Sequence, residues 1–191
     1  MISCLQLQPV WATSQIELGG VQGSLIGADA QNGFGWHLAY GYGKKTSEQQ
    51  SLYVDLSLQE IYGLSQKGVA KLGFPNLERN RLSTGLTFKS YRQIFGSLNL
   101  LLGIRAAYLF EHAQIRSDSY ALDKDTNAFE LGFLIGLQFR INRYLGIQVY
   151  WSPAYVLDRE EIQLSEKDIG IEEENRHNGI SRFIASMLMY F

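Results

Sequence analysis

His37, Asp55, Gln59, Lys89, Arg105, Glu111, Glu130, Gln138, Arg140, Gln148 and Arg182 are the side chains with the most chemistry to offer. Each lies in a stretch where large apolar residues alternate with small or polar ones, and each falls on the small or polar parity. On a strand, residues of one parity line one face. Gathered inside a closed sheet, these groups can pair and hydrogen-bond into a polar plug, the condition under which buried charge is tolerated. The alternative is a gated path for ions or protons. A narrow lumen favours the plug, because side chains fill the interior of a small barrel. Asp55 and Lys89 are expected to meet, since they lie on consecutive strands near the same end. Glu111 and Glu130 bracket one connection, with Arg105 below them.

Other chemistry is sparse. His177 and Ser181, with Glu173 and Glu174 nearby, form the one hydrolytic pattern. A base must reach its nucleophile. Four extended residues span about 13 Å, so contact there needs a bent chain. The 3 His and 1 Cys are scattered and have no metal-ligand spacing. The acidic stretch 158–178 matches no calcium loop. Gly41-Tyr42-Gly43 is no phosphate cradle without a helix after it. The expectation is no metal and no cofactor. A net charge of −2 gives no basic field for nucleic acid.

The elements that must position these groups are strands. Residues 33–44 put Phe34, Trp36, Leu38, Tyr40 and Tyr42 on one face and glycines, Ala39 and His37 on the other. Residues 95–111 put Leu98, Leu100, Leu102, Ile104, Ala106, Tyr108 and Phe110 together. Residues 128–140 do the same with Phe129, Leu131, Phe133, Ile135, Leu137 and Phe139. Weaker alternation at 21–28, 52–64, 81–89 and 145–157, with a break at Pro153, and a last strand over 180–191 complete the set. That is about eight strands, the smallest closed membrane barrel.

Connections sort by length. Residues 44–50, 90–93 and 141–144 are short links, and 65–80, 112–127 and 158–178 are long and polar. A short first hairpin at 29–32 is the exception. Bacterial outer-membrane barrels have short periplasmic turns and long external loops. A soluble meander has no reason to sort its loops this way. Its core would also be overfilled by the aromatic rows, whereas the glycine, alanine and serine parity suits a narrow lumen.

The expected fold is all-β: an eight-stranded, antiparallel, up-and-down transmembrane barrel in the bacterial outer membrane. Trp36, Leu100, Ile104, Phe129, Phe133 and Met187 are expected to face lipid. Residues 16–191 form the barrel domain, and 1–15 are a leader remnant or a flexible arm. The last strand carries Phe183, Ala185, Met187, Met189 and Phe191 on one face. Only one parity can give that face to lipid, which sets the register.

From about Val21 to Phe191 the chain resembles the PorT-type outer-membrane β-barrel family of Bacteroidota. The cues are Tyr62 followed by Ser65-Gln66-Lys67-Gly68, the glycine-spaced fifth and sixth strands, and the closing Met187-Leu188-Met189-Tyr190-Phe191. The resemblance implies a small integral outer-membrane protein that can belong to a larger envelope assembly. It also implies that Phe183, Met187, Met189, Tyr190 and Phe191 form the signal read by the barrel-assembly machinery. The partners expected are outer-membrane lipid, lipopolysaccharide, that machinery and envelope proteins. The function expected is structural or interactive and not enzymatic. The alternatives are a lipid A deacylase-like enzyme built on Ser181 and a small ion channel.

Overall fold

The computed structural model describes residues 12–26, 30–66, 77–117, 120–157 and 179–191. All regular structure among them is β. The strands are β1 (Ala12–Leu25), β2 (Ala30–Gln31), β3 (Gly33–Ser47), β4 (Gln50–Gln66), β5 (Leu77–Phe95), β6 (Leu98–Ser117), β7 (Tyr120–Arg140), β8 (Leu145–Trp151), β9 (Ala154–Leu157) and β10 (Gly179–Tyr190). β2 pairs with β4 just as β3 does, and β8 and β9 both lie between β7 and β10. The segments therefore make a closed wall of 8 antiparallel staves.

Closure runs along the seam between β1 and β10, in register from Gln15↔Tyr190 to Leu25↔Ile180. Ser14 and Phe191 extend it: the Phe191 N–H donates to the Ser14 carbonyl at 3.0 Å, and the Ser14 N–H to the Phe191 carbonyl at 3.3 Å. Hydrocarbon offers no water to an open edge, and each unpaired backbone group there costs several kcal/mol. The last strand therefore pairs with the first over nearly its whole length.

The wall is inside-out relative to a soluble protein. Glu17, Asp55 and Arg182 are among the most buried side chains, while Phe34, Ile104, Phe129 and Phe183 are each more than half exposed. The long strands present their richest apolar rows outward. Besides the shifts beside the short turns, between Lys45 and Ser47 and between Gln93 and Phe95, two irregularities interrupt the ladder further from those turns. At Pro153, which has no N–H to give, β8 ends and β9 begins. Ser152 and Arg182 still exchange backbone hydrogen bonds at 2.8 and 3.2 Å, and the Pro153 carbonyl accepts from the Phe133 N–H at 3.2 Å. In β4 the register slips between Ile61 and Leu64. Gly63 takes up the slip with a φ of 68°, a left-handed conformation that favours glycine, and its N–H donates to Asn80 Oδ1 at 3.1 Å.

Several element boundaries differ from the sequence expectation. The first strand begins at Ala12 instead of Val21, so residues 12–15, assigned to the arm, are in the wall; residues 1–11 lie outside the described residues. The turn expected at 90–93 falls at Gly96 and Ser97, because β5 continues to Phe95. Of the connection 112–127, expected as a long polar loop, residues 112–117 and 120–127 are paired strand: β6 and β7 stay in register out to Ser117↔Tyr120. Above the hydrocarbon no outward apolar row is needed, so the pairing continues after the alternation has stopped. Residues 67–76 and 158–178, which hold most of the other two long connections, lie outside the described residues.

Candidate functional site

The lumen holds the chemistry, and its polar groups fall into three clusters along the barrel. The cluster nearest the short turns is centred on Glu17 of β1. One carboxylate oxygen of Glu17 accepts from the Lys89 ammonium. The other accepts from Ser186 Oγ at 2.8 Å and Tyr150 OH at 3.1 Å, and lies 3.2 Å from His37 Nε2. Lys89 also meets Asp55 Oδ2 at 2.7 Å, and Gln15 Nε2 donates to Asp55 Oδ1 at 3.1 Å. The Lys89 ammonium stands 5.5 Å from the Tyr150 ring centre. Close by, Tyr91 OH donates to Gln148 Oε1 at 3.0 Å.

Parity explains how these residues meet. Gln15 and Glu17 on β1, His37 on β3, Asp55 on β4, Lys89 on β5, Gln148 and Tyr150 on β8 and Ser186 on β10 all point inward. Gly41 makes the room. A Cβ there would lie 2.0 Å from Asp55 Oδ1 and 3.0 Å from Gln15 Cγ. Gly41→Val is therefore expected to push Asp55 off Lys89 and destabilise the barrel by about 1–3 kcal/mol through overpacking. Gly20 is the control, since a Cβ there meets nothing nearer than 4.0 Å. Urea unfolding from lipid vesicles should separate the two, with Gly20→Val within about 0.5 kcal/mol of the parent. Equal effects would show that the packing at Gly41 is not critical.

The middle cluster is built on Glu130 of β7. One of its oxygens pairs with Arg105 of β6 and the other with Arg182 of β10. Arg105 also donates to Ser83 Oγ at 3.0 Å and to Ser57 Oγ at 3.4 Å. The third cluster, toward the long connections, has Glu111 of β6 between two arginines of β5: Arg79 Nη1 lies 2.8 Å from Oε1, and Arg81 Nε donates to Oε2. Gln59 is buried on β4, in register with His37 and Ser83. At the rim on the short-turn side, Asn99 Nδ2 donates to Gln138 Oε1 at 2.8 Å, and Gln138 Nε2 donates to Tyr190 OH.

The structure places His37, Asp55, Gln59, Lys89, Arg105, Glu111, Glu130, Gln138, Gln148 and Arg182 in the buried interior. Arg140, expected there too, is exposed instead. It sits on the inward parity, but at the last position of β7, where the wall ends. Its guanidinium lies 4.7 Å over the Tyr190 ring and donates to the carbonyls of Asn142 at 3.3 Å and Arg143 at 3.2 Å. Phe129, Phe133, Ile104 and Met187 are exposed on the outer wall, while Trp36 and Leu100 are half-buried in the same outward rows. In the last strand Phe183, Met187, Met189 and Phe191 share the outer parity, and Tyr190 points inward.

Sequence reasoning missed Gln15, Glu17, Arg79, Arg81, Tyr91 and Tyr150. The signal was available: Gln15 and Glu17 continue the inward parity of Gly19, Val21 and Gly23, and Arg79 and Arg81 continue that of Ser83. The hydrolytic pattern does not assemble among the described residues. Ser181 Oγ accepts from the Trp151 indole N–H at 2.6 Å, and His177, Glu173 and Glu174 lie outside them. No group of three His, Cys, Asp or Glu side chains among the described residues is arranged to hold a metal ion.

A major outer membrane protein from Thermus thermophilus has a similar structure, with a TM-score of 0.60, 11% sequence identity, and coverage of 93% of this chain and 99% of that one. Ail, the attachment invasion locus protein of Yersinia pestis, aligns at a TM-score of 0.56 and 15% identity, over 94% of this chain and 99% of its own. Neisserial surface protein A aligns at 0.55 and 11% identity, over 94% and 97%. No family model matches the sequence, and no curated protein matches it significantly. The fold is that of the small bacterial outer-membrane β-barrels, and the apolar outer wall is a membrane-spanning surface.

Proposed function

We propose that this chain is an integral protein of the bacterial outer membrane that works as a structural or interacting part of a larger envelope assembly and has no catalytic activity of its own. The observation that carries this reading is the lumen. Its buried charges are paired, some of them between strands that are not neighbours, which supports an interior that braces the wall. Function is then left to the outer wall and to the paired extension of β6 and β7 beyond the apolar rows. That extension is a paired two-stranded ribbon, a form that can dock a protein partner. The cues shared with PorT-type barrels, Tyr62 with Ser65 and Gln66 and the closing aromatic strand, support membership in an assembly; Lys67 and Gly68 lie outside the described residues. In this reading the partners are membrane lipid, lipopolysaccharide, the assembly machinery during biogenesis, and envelope proteins.

The test has two arms. In planar bilayers the purified barrel is expected to show no steady conductance, and a reproducible open level of porin size would overturn the closed lumen. In native membranes solubilised in mild detergent, the chain should migrate as a defined complex. Exchange of residues 113–124 for a tight two-residue turn should release it while leaving the barrel folded. A complex indifferent to that exchange, or none at all, would count against the interaction role.

A separate expectation concerns biogenesis. Phe191 is exposed on the outer wall and tied by its backbone to Ser14. Deleting it is expected to impair insertion in cells more than refolding in detergent, as measured by protease protection and heat-modifiable gel migration. Equal insertion with and without Phe191 would remove the signal role.

A further inference from the structure

The outer wall is not uniformly ridged. On β5 the outward side chains run Leu86, Phe88, Ser90 and Arg92, so a small residue interrupts a row of large ones. Ser90 stands in register between Leu52 of β4 and Leu102 of β6. In the next row away from the short turns, Phe88 stands between Val54 and Ile104. These residues enclose a shallow apolar groove of about 710 Å³ over Ser90. The Ser90 hydroxyl is already engaged, accepting from Gln50 Nε2 at 3.2 Å. The groove floor therefore presents little unmet polarity to what lies in it.

Basic residues mark one end. Lys44 lines the groove on the side nearest the short turns, in register with Leu52. Arg92 is exposed two residues beyond Ser90 on the same outward parity. The acid of this region, Glu48, is further along the chain, in the turn after Lys44. Cations on long apolar stems reach the headgroup level from such positions. An apolar channel in the hydrocarbon with cations at its interfacial end matches a lipid with an anionic headgroup.

We propose that this groove is a binding site for one anionic phospholipid of the leaflet on the short-turn side. One acyl chain lies over Ser90 between Leu52, Phe88 and Leu102, and the phosphate meets Lys44 and Arg92. The proposal rests on the outer-membrane reading, because it needs the wall to stand in a bilayer. The test uses the full chain refolded in detergent, with folding checked by heat-modifiable migration. Dioleoylphosphatidylglycerol or dioleoylphosphatidylcholine is added, and retained lipid is counted by native mass spectrometry. The parent is expected to keep one phosphatidylglycerol in preference to phosphatidylcholine. Ser90→Phe fills the groove and should abolish retention of both. The Lys44→Gln, Arg92→Gln pair should weaken phosphatidylglycerol about tenfold or more and leave phosphatidylcholine unchanged. Unchanged retention by Ser90→Phe, or no headgroup preference in the parent, would overturn the proposal. Failure of the outer-membrane reading looks different: the parent itself would not fold into lipid vesicles.

Discussion

Replacing Lys89 by methionine is expected to destabilise the barrel by about 3–5 kcal/mol, because it strands two carboxylates in the interior without their cation. Glu17 and Asp55 are both fully buried, and Lys89 is the one lysine or arginine that pairs with them among the described residues. His37 can balance one charge only when protonated. The measurement is urea unfolding from lipid vesicles. The decisive comparison is the triple variant Glu17→Gln, Asp55→Asn, Lys89→Met. Neutral side chains of similar size leave no buried charge to compensate, so the triple variant should be more stable than Lys89→Met alone. If the three single losses simply add, the groups do not interact, and the plug is a set of neighbours instead of a network.

The geometry explains why this cluster should matter so much. Some of its contacts follow the wall, as Lys89 with Asp55 does, and others cross the lumen. Glu17 on β1 reaches Lys89 on β5 and Tyr150 on β8. Glu130 on β7 reaches Arg182 on β10, while its other oxygen holds Arg105 on the adjacent β6. Backbone hydrogen bonds tie each strand to its neighbours. Among the described residues the lumen groups tie strands that are not neighbours, so they help to hold the cross-section of the barrel.

The wall was legible in the sequence because hydrocarbon imposes a strict rule on it. Rows such as Phe129 to Phe139 had to alternate with a small or polar parity, and the barrel follows from that parity together with the need to leave no edge. Legibility stops where the rule stops. The paired extension of β6 and β7 reads as a loop, since outside the bilayer an outward side chain can be polar. Arg140 keeps the lumen parity but lies at the rim, where parity no longer decides burial. Glu17 was hidden by Gly19 and Gly20, which blur the alternation near a segment that looks like a leader. Pairing inside the lumen was legible for Asp55 and Lys89, which lie on adjacent strands. Glu17 and Lys89 are 72 residues apart, and no local pattern says which inward groups face each other. That depends on strand stagger around the closed wall.

Ile104→Arg is expected to cost about 2–4 kcal/mol, the penalty for a guanidinium on the lipid face near the bilayer midplane. Ile104 is 62% exposed on the outer wall, in register with Phe88 on one side and Phe133 on the other. The outward apolar row of β6 runs from Leu98 to Phe110, which places Ile104 at its centre. Leu98→Arg, at the turn end of the same row, is the control and should cost about 0–1 kcal/mol because its charge can reach the interface. The neighbour makes the comparison sharper. Arg105, one residue on, carries the same guanidinium inside, where Glu130, Ser57 and Ser83 receive it. A one-residue slip would rescue an arginine at 104 only by turning Arg105 out to lipid. The strand therefore has no register that hides both, and the cost must appear in stability. Unfolding free energies in vesicles that do not depend on depth, with Ile104→Arg no worse than Leu98→Arg, would mean that this face of β6 does not stand in hydrocarbon.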